Sequence, residues 1–220
     1  MMENWFVSRS IGRYIAEKEQ DFFDGHESCR QKTVVQMGAA WLRSREGIIV
    51  VPRDVKMDCT AMAWESQSLD CLKMAHSHEY SANPSLALAE AARVLKPEGK
   101  LVITGFNPYS LWGLSSWFDG RCLPHRSHCF SLPEFKRLIQ TLGFEIEYGK
   151  FMVYVPPVET AGGLRFWHFL EKAGDRWWPQ CAAVYGLVLI KRRAGVHLLP
   201  EVETELAEES MVLGTARTIG

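Results

Sequence analysis

A chain of 220 residues, 47% apolar and 23% charged, has the balance of one folded domain of ordinary size, which excludes wholesale disorder. With 25 Lys and Arg against 26 Asp and Glu, the formal net charge is -1, so no single-sign field favours a nucleic-acid partner held by phosphate contacts. The 8 Trp and 11 Phe call for a heavy aromatic core or an aromatic-lined pocket. Residues 1–20 mix Glu3, Arg9, Arg13, Glu17, Lys18 and Glu19 into their apolar positions, so no signal-peptide core is expected. The charge-free stretches 101–118 and 177–190 are broken by Gly and Pro or fall short of the roughly 20 residues of a membrane helix. The Cys residues at 29, 59, 71, 122, 129 and 181 form no CxxC pair and read as reduced thiols of a cytoplasmic protein.

Taken in chain order, the punctuation alternates helix and strand. Residues 5–23 predict an opening helix, with Phe6, Ile11, Tyr14, Ile15 and Phe22 on one side and Asp24-Gly25 ending it. Short strands are expected at 33–37 and 47–51, and a weaker one at 69–75. Asn83 caps a helix with Pro84 at its first turn, which runs through Leu86, Ala89, Ala92 and Val94 to a turn at 96–99. A buried strand follows at 101–104. Ser131 and Glu134 have the capping-box spacing, Leu132, Phe135, Leu138, Ile139 and Leu142 form one stripe, and Gly143 follows as the C-cap residue. An extended segment at 144–155, an aromatic helix near 164–174 and a last strand at 182–190 complete the body.

The alternation predicts an α/β fold with a mostly parallel sheet, and the two late extended segments predict an antiparallel pair at one edge. The body is expected to span 1–200. The segment 201–220 carries Glu201, Glu203, Glu205, Glu208 and Glu209 against Arg217, and is expected to be an acidic, disordered tail.

The run 58–64 (DCTAMAW), Leu69-Asp70, His76, Asn83-Pro84, the run 93–99 (RVLKPEG) and the strand 101–107 (LVITGFN) make one pattern. It resembles the class I methyltransferases that use S-adenosylmethionine (SAM), in the type 11 branch. The resemblance covers roughly residues 30–150 and implies a doubly wound Rossmann-like sheet with SAM at the carboxyl ends of the first strands. It further implies Gly38, Asp58 and His76 on the cofactor side and a small-molecule or lipid-like methyl acceptor. The family's first loop is D/E-x-G-x-G-x-G, whereas residues 36–41 read QMGAAW, with Gly38 alone and the bulky Trp41. The acid expected after strand two is matched by Pro52-Arg53-Asp54. The short interval between Gly38 and Asp58 implies that at least one βα unit is trimmed.

Each candidate has a second reading. Gly38 is the remnant of a cofactor loop or a strand-end turn, and Asp58 is an adenine contact or a loop cap. His76 is a base or cofactor contact at a strand end, or a structural histidine hydrogen-bonded beside Glu79. Lys73, in a strand that should be apolar, snorkels to an edge or pairs with a carboxylate. Asn107-Pro108-Tyr109 resembles the N-P-P-Y loop of amino-methylating enzymes with one Pro missing and out of place, and is expected to be a strand-to-helix turn. Cys122, His125, His128 and Cys129 form the most metal-like cluster, but their spacing matches none of the common zinc patterns and a surface loop is expected. The late aromatic residues, Trp112, Trp117, Trp167, Trp177 and Trp178 with Phe166 and Phe169, are expected to serve as core, with a pocket wall for an apolar substrate or a membrane-facing surface as the other readings. Arg165, Lys172, Arg176 and the run 191–193 read as a solvated face or a basic rim. The leading function is SAM-dependent methyl transfer, with a non-catalytic binding module on the same fold as the alternative. No catalytic residue is assigned, and the sequence leaves the oligomeric state open.

Overall fold

The computed structural model describes residues 2–26, 33–115 and 128–192, so Cys122, His125, Trp117 and the acidic tail lie outside it. Six strands form one sheet in the order β2-β1-β3-β4-β6-β5. They are β1 (Val34–Met37), β2 (Ile49–Val51), β3 (Leu69–Ala75), β4 (Leu95–Phe106), β5 (Phe144–Met152) and β6 (Val184–Lys191). β2, β1, β3 and β4 run parallel, while β6 is antiparallel to both β4 and β5. This is the expected doubly wound sheet with an antiparallel edge pair. Among the described residues, neither 38–48, between β1 and β2, nor 52–68, between β2 and β3, holds a helix, which is where this sheet is trimmed.

Helices cover both faces. The expected opening helix is two helices, α1 (Met2–Ser8) and α2 (Ser10–Gly25), separated at Arg9, whose backbone is extended. Gly12 lets them close up: a Cβ there would run into the Trp5 carbonyl and the Phe6 backbone. On this face Ile11, Ile15 and Phe22 of α2 share a core with Cys71, Ala75, Val102 and Val188 of the sheet. On the other face α3 (Pro84–Val94) and α5 (Leu132–Thr141) bring Leu88, Ala91, Phe135 and Ile139 onto Leu72, Met74, Leu101 and Leu189. Strand alternation sorts the side chains between the two layers.

Most of the local signals are realised. Asn83 Oδ1 accepts the Leu86 N–H at 3.1 Å. Ser131 and Glu134 form the full capping box, and Gly143 follows α5 at φ +81°. We expect Ser131→Ala to lower stability by about 1 kcal/mol in urea unfolding, since it leaves helix N–H groups without a side-chain acceptor. The turn expected at 96–99 is instead taken up within β4: Leu69 pairs with Leu95 but Cys71 with Lys100, and Glu98 adopts φ +63° at this bulge.

Between β4 and α5 lies the short α4 (Leu111–Ser115). Trp112 on it is buried and its indole N–H donates to Val155 O at 2.8 Å, as a core aromatic should. The expected late aromatic helix is the pair α6 (Ala161–Trp167) and α7 (Phe169–Trp177), and here the core expectation fails. Phe166, Phe169, Trp177 and Trp178 are all exposed. For Phe169 the reason is Gly174, which presses α7 onto the Tyr154 ring on one side and turns the opposite side, with Phe169, outward. Among the described residues no helix is long and apolar enough to cross a membrane.

Candidate cofactor and acceptor site

The carboxyl ends of β1, β3 and β4 meet in a set of backbone contacts. Gly38 leaves β1 at φ +78° and Ala39 follows at φ +51°, a left-handed pair that bends the chain away from the sheet. Gln36, buried in β1, steadies this bend by donating to Ala39 O at 2.9 Å. A Cβ at Gly38 would stand 3.1 Å from Ala75 O and 3.1 Å from Ser77 Cβ, so only glycine permits this closeness to the end of β3. Ser77 returns a hydrogen bond to Met37 O at 2.9 Å, and the Cys59 thiol lies 3.6 Å from Ser77 O. The Gly38 bend, the Asp58 loop and residues 75–77 are thus gathered at one edge.

Asp58 is exposed. Its Oδ1 accepts the Thr60 N–H at 2.8 Å and the Thr60 hydroxyl at 2.9 Å, and these bonds hold its carboxyl below the usual range. Asp54, the acid after β2, is also held low, first by the Arg53 guanidinium and then by the Val50 N–H, with contacts of 3.0 and 2.8 Å. Lys73 is buried in β3 on the α2 face and has a partner.

Trp41 stacks face to face on Phe6 of α1, with ring centroids 4.1 Å apart and 9° between planes. It belongs to the α1–α2 layer, whereas Cys59 and Met62 of the Asp58 loop pack with the layer on the other side of the sheet. An open groove of about 440 Å³ lies beside this stack, between α1, α2 and residues 41–43, with Arg13, Glu17, Asp21 and Arg43 on its walls.

His76 is fully buried at the end of β3, between Phe106 and Phe6 at centroid distances of 4.0 and 5.6 Å. Its Nδ1 is 2.8 Å from Glu79 Oε2 and its Nε2 is 2.8 Å from Glu19 Oε1, both carboxylates being fully buried. Burial opposes the charge on His76, but Glu19 first and Glu79 next outweigh it and raise the imidazole to about 10. Burial also raises the Glu79 carboxyl, against the pull of His76 and of the Phe106 N–H, which donates to Oε1 at 2.6 Å. Thr104 donates its hydroxyl to Glu19 Oε1. His78, equally buried, is pushed down to about 3 by burial and by the charge on His76. A cationic imidazole closed between two carboxylates has no free lone pair, so in this arrangement His76 orders the strand ends and takes up no proton.

The structure therefore brings Gly38, Asp58 and His76 to the same edge, with His76 beneath it. Sequence reasoning overlooked Glu19, Ser77 and Phe6. Glu19 did leave a signal, since it falls on the buried stripe of α2 with Ile15 and Phe22. Asn107 is a strut: its amide donates to Gln180 O at 2.7 Å and Ala182 O at 3.1 Å, as the turn reading expects. His128 Nδ1 donates to Glu79 O at 3.2 Å, and Cys129 is a buried free thiol. Among the described residues no three His, Cys, Asp or Glu side chains are arranged so that they could hold a metal ion.

The fold just described is the Rossmann-like fold found in class I methyltransferases. A SAM-dependent methyltransferase from Thermotoga maritima superposes with a TM-score of 0.56 at 16% identity, over 80% of this chain and 89% of that one. A SAM-dependent methyltransferase from Archaeoglobus fulgidus gives 0.51 at 15% identity, over 81% and 94%. In sequence, the family described as "Methyltransferase domain" matches residues 32–103, from just before β1 to within β4. That match covers about a third of the chain, 72 of its 220 residues, and is a likeness to the family over the parallel half of the sheet. The protein YafS of Escherichia coli (strain K12), which carries the description uncharacterized, is 31% identical over 115 residues. That match spans 51% of this chain and about half, 48%, of YafS.

Proposed function

We propose that the chain is a SAM-dependent methyltransferase acting on a small or lipid-like acceptor in the cytoplasm. The observation that carries this reading is where Trp41 goes. It is drawn onto Phe6 in the α1–α2 layer, while the Asp58 loop belongs to the opposite layer, so its bulk is directed away from the space between Gly38 and Asp58. The left-handed Gly38-Ala39 bend offers backbone to a ligand there, and Asp58 offers an exposed, ionised acceptor for an amino group. SAM, when bound, supplies a methyl group activated by its sulfonium. The chain's own part is to hold that cofactor, keep the acceptor aligned and exclude water, which needs no distinctive catalytic dyad. Gly38 and Asp58 would contact the cofactor, and the His76 cluster would fix the strand ends beneath it.

A non-catalytic module on the same fold is favoured by one observation. Arg53 and the Val50 N–H occupy the carboxylate of Asp54, the group best placed to bind ribose hydroxyls. Calorimetric titration with SAM and with S-adenosylhomocysteine separates the two readings. We expect micromolar binding of one or both. No heat and no thermal shift at millimolar ligand would leave the fold as a binding scaffold.

A further inference from the structure

The helix pair α6–α7 is inserted between β5 and β6. Met152 ends β5, Val184 opens β6, and Val184 pairs with Phe106, the last residue of β4. The insert therefore stands at the carboxyl edge of the parallel strands, the edge that carries Gly38 and Asp58. Asn107 ties it there through its bonds to Gln180 O and Ala182 O.

The insert shows an unusual surface. Phe166 is 68% exposed, Phe169 58%, Trp177 68% and Trp178 56%. Arg165, Lys172 and Arg176 are exposed on the same two helices. With 3.6 residues per turn, Phe169, Lys172 and Arg176 fall on the side of α7 opposite Gly174, which is buried against Tyr154. The acidic residues do not balance this face. Glu171 turns inward and accepts the Tyr154 N–H at 2.9 Å, leaving Asp175 as the exposed acid of α7.

We propose that α6–α7 is a docking surface for an anionic lipid bilayer, with the carboxyl edge of the sheet turned toward the headgroups. Tryptophan and phenylalanine interleaved with Arg and Lys are what the membrane interface rewards: rings at the headgroup–acyl boundary and cations on lipid phosphates. A second copy of the chain fits less well, because a two-fold contact would set this cationic face against itself. The proposal goes beyond the methyltransferase reading and stands without it.

Cosedimentation of the full chain with phosphatidylcholine vesicles, with and without phosphatidylserine, tests it at low salt and without cofactor. We expect binding to the anionic vesicles, at least about tenfold weaker on phosphatidylcholine alone. Lys172→Glu/Arg176→Glu and, separately, Phe169→Ala/Trp177→Ala should each weaken binding by about tenfold or more, with unchanged circular dichroism. Lys136→Glu/Arg137→Glu, the same charge change on the exposed side of α5, should leave it unchanged. Absence of binding to anionic vesicles overturns the proposal, as does equal loss in the α5 variant or no loss in the α7 variants. So does a vesicle-independent dimer, seen by sedimentation velocity, that the α7 substitutions dissociate. Vesicle binding and SAM binding are separate readouts, so either can fail alone.

Discussion

His76→Ala should lower stability by about 3–5 kcal/mol in urea unfolding. The imidazolium stands 2.8 Å from each of two carboxylates that have no solvent exposure. Its removal leaves Glu19 and Glu79 facing one another across a dry cavity, with only the Thr104 hydroxyl and the Phe106 N–H as compensation. Glu19→Gln should cost less, because the amide oxygen can keep the Thr104 bond and a simple His76–Glu79 pair remains. The pH dependence gives the prediction a second readout. His76 has a folded-state value of about 10 against 6.5 unfolded, so its contribution is complete below pH 6.5 and is lost as the pH rises toward 10. Glu79 is raised above its ordinary 4.5, and it too favours the protonated, acidic side. The native state binds more protons in both cases, so stability must fall with rising pH, on the order of 1 kcal/mol per unit between the two His76 values. In His76→Ala the slope from pH 6.5 to about 8.5 should vanish, the steeper fall above it being shared with the buried Cys59, Cys129 and Tyr185. The defect should shrink in acid as Glu79 takes up a proton. A wild-type stability that is flat from neutral to alkaline pH would show that the imidazole is not charged in the fold.

Much of the fold was legible because the signals were local. The Asn83-Pro84 cap, the Ser131–Glu134 box and the two late strands each need only a few neighbouring residues to specify them. The trimmed βα unit was equally plain from the short interval between Gly38 and Asp58. The His76 cluster was half legible. Glu79 is three residues away and could be paired with His76 by reading, but Glu19 reaches it from α2, through a contact of long sequence separation. The one clue was a charge on a buried helical stripe, which propensity alone would have placed in solvent. Trp177 and Trp178 misled in the opposite direction. Aromatic residues are usually core, but these two stand at the end and C-cap of α7 and are 68% and 56% exposed, a placement that no periodicity encodes. Both sequence and geometry put a candidate site at the carboxyl edge, but only the geometry shows which side of that edge Trp41 occupies.

That side can be decided by two substitutions whose effects should separate. Phe6→Ala removes a ring that is 1% exposed and stacked on Trp41, and should cost about 3–5 kcal/mol in stability. If the cofactor lies between Gly38 and Asp58, this loss falls in the α1–α2 layer. The affinity of the folded protein for S-adenosylhomocysteine should then change by less than about threefold, or well under 1 kcal/mol. Gly38→Val should do the reverse. A β-branched residue at φ +78°, with its Cβ 3.1 Å from Ala75 O, costs about 1–3 kcal/mol in backbone strain and forces the β1 and β3 ends apart. Its loss of ligand affinity should exceed about tenfold, the larger share of its phenotype. Calorimetry on both variants, at temperatures where each is fully folded by circular dichroism, reads the two effects independently. Affinity lost at Phe6 and kept at Gly38 would move the ligand to the groove of about 440 Å³ between α1, α2 and Trp41. There Arg13, Glu17, Asp21 and Arg43 would bind it, and the Gly38 bend would be no more than the close contact between two strand ends that its geometry already requires.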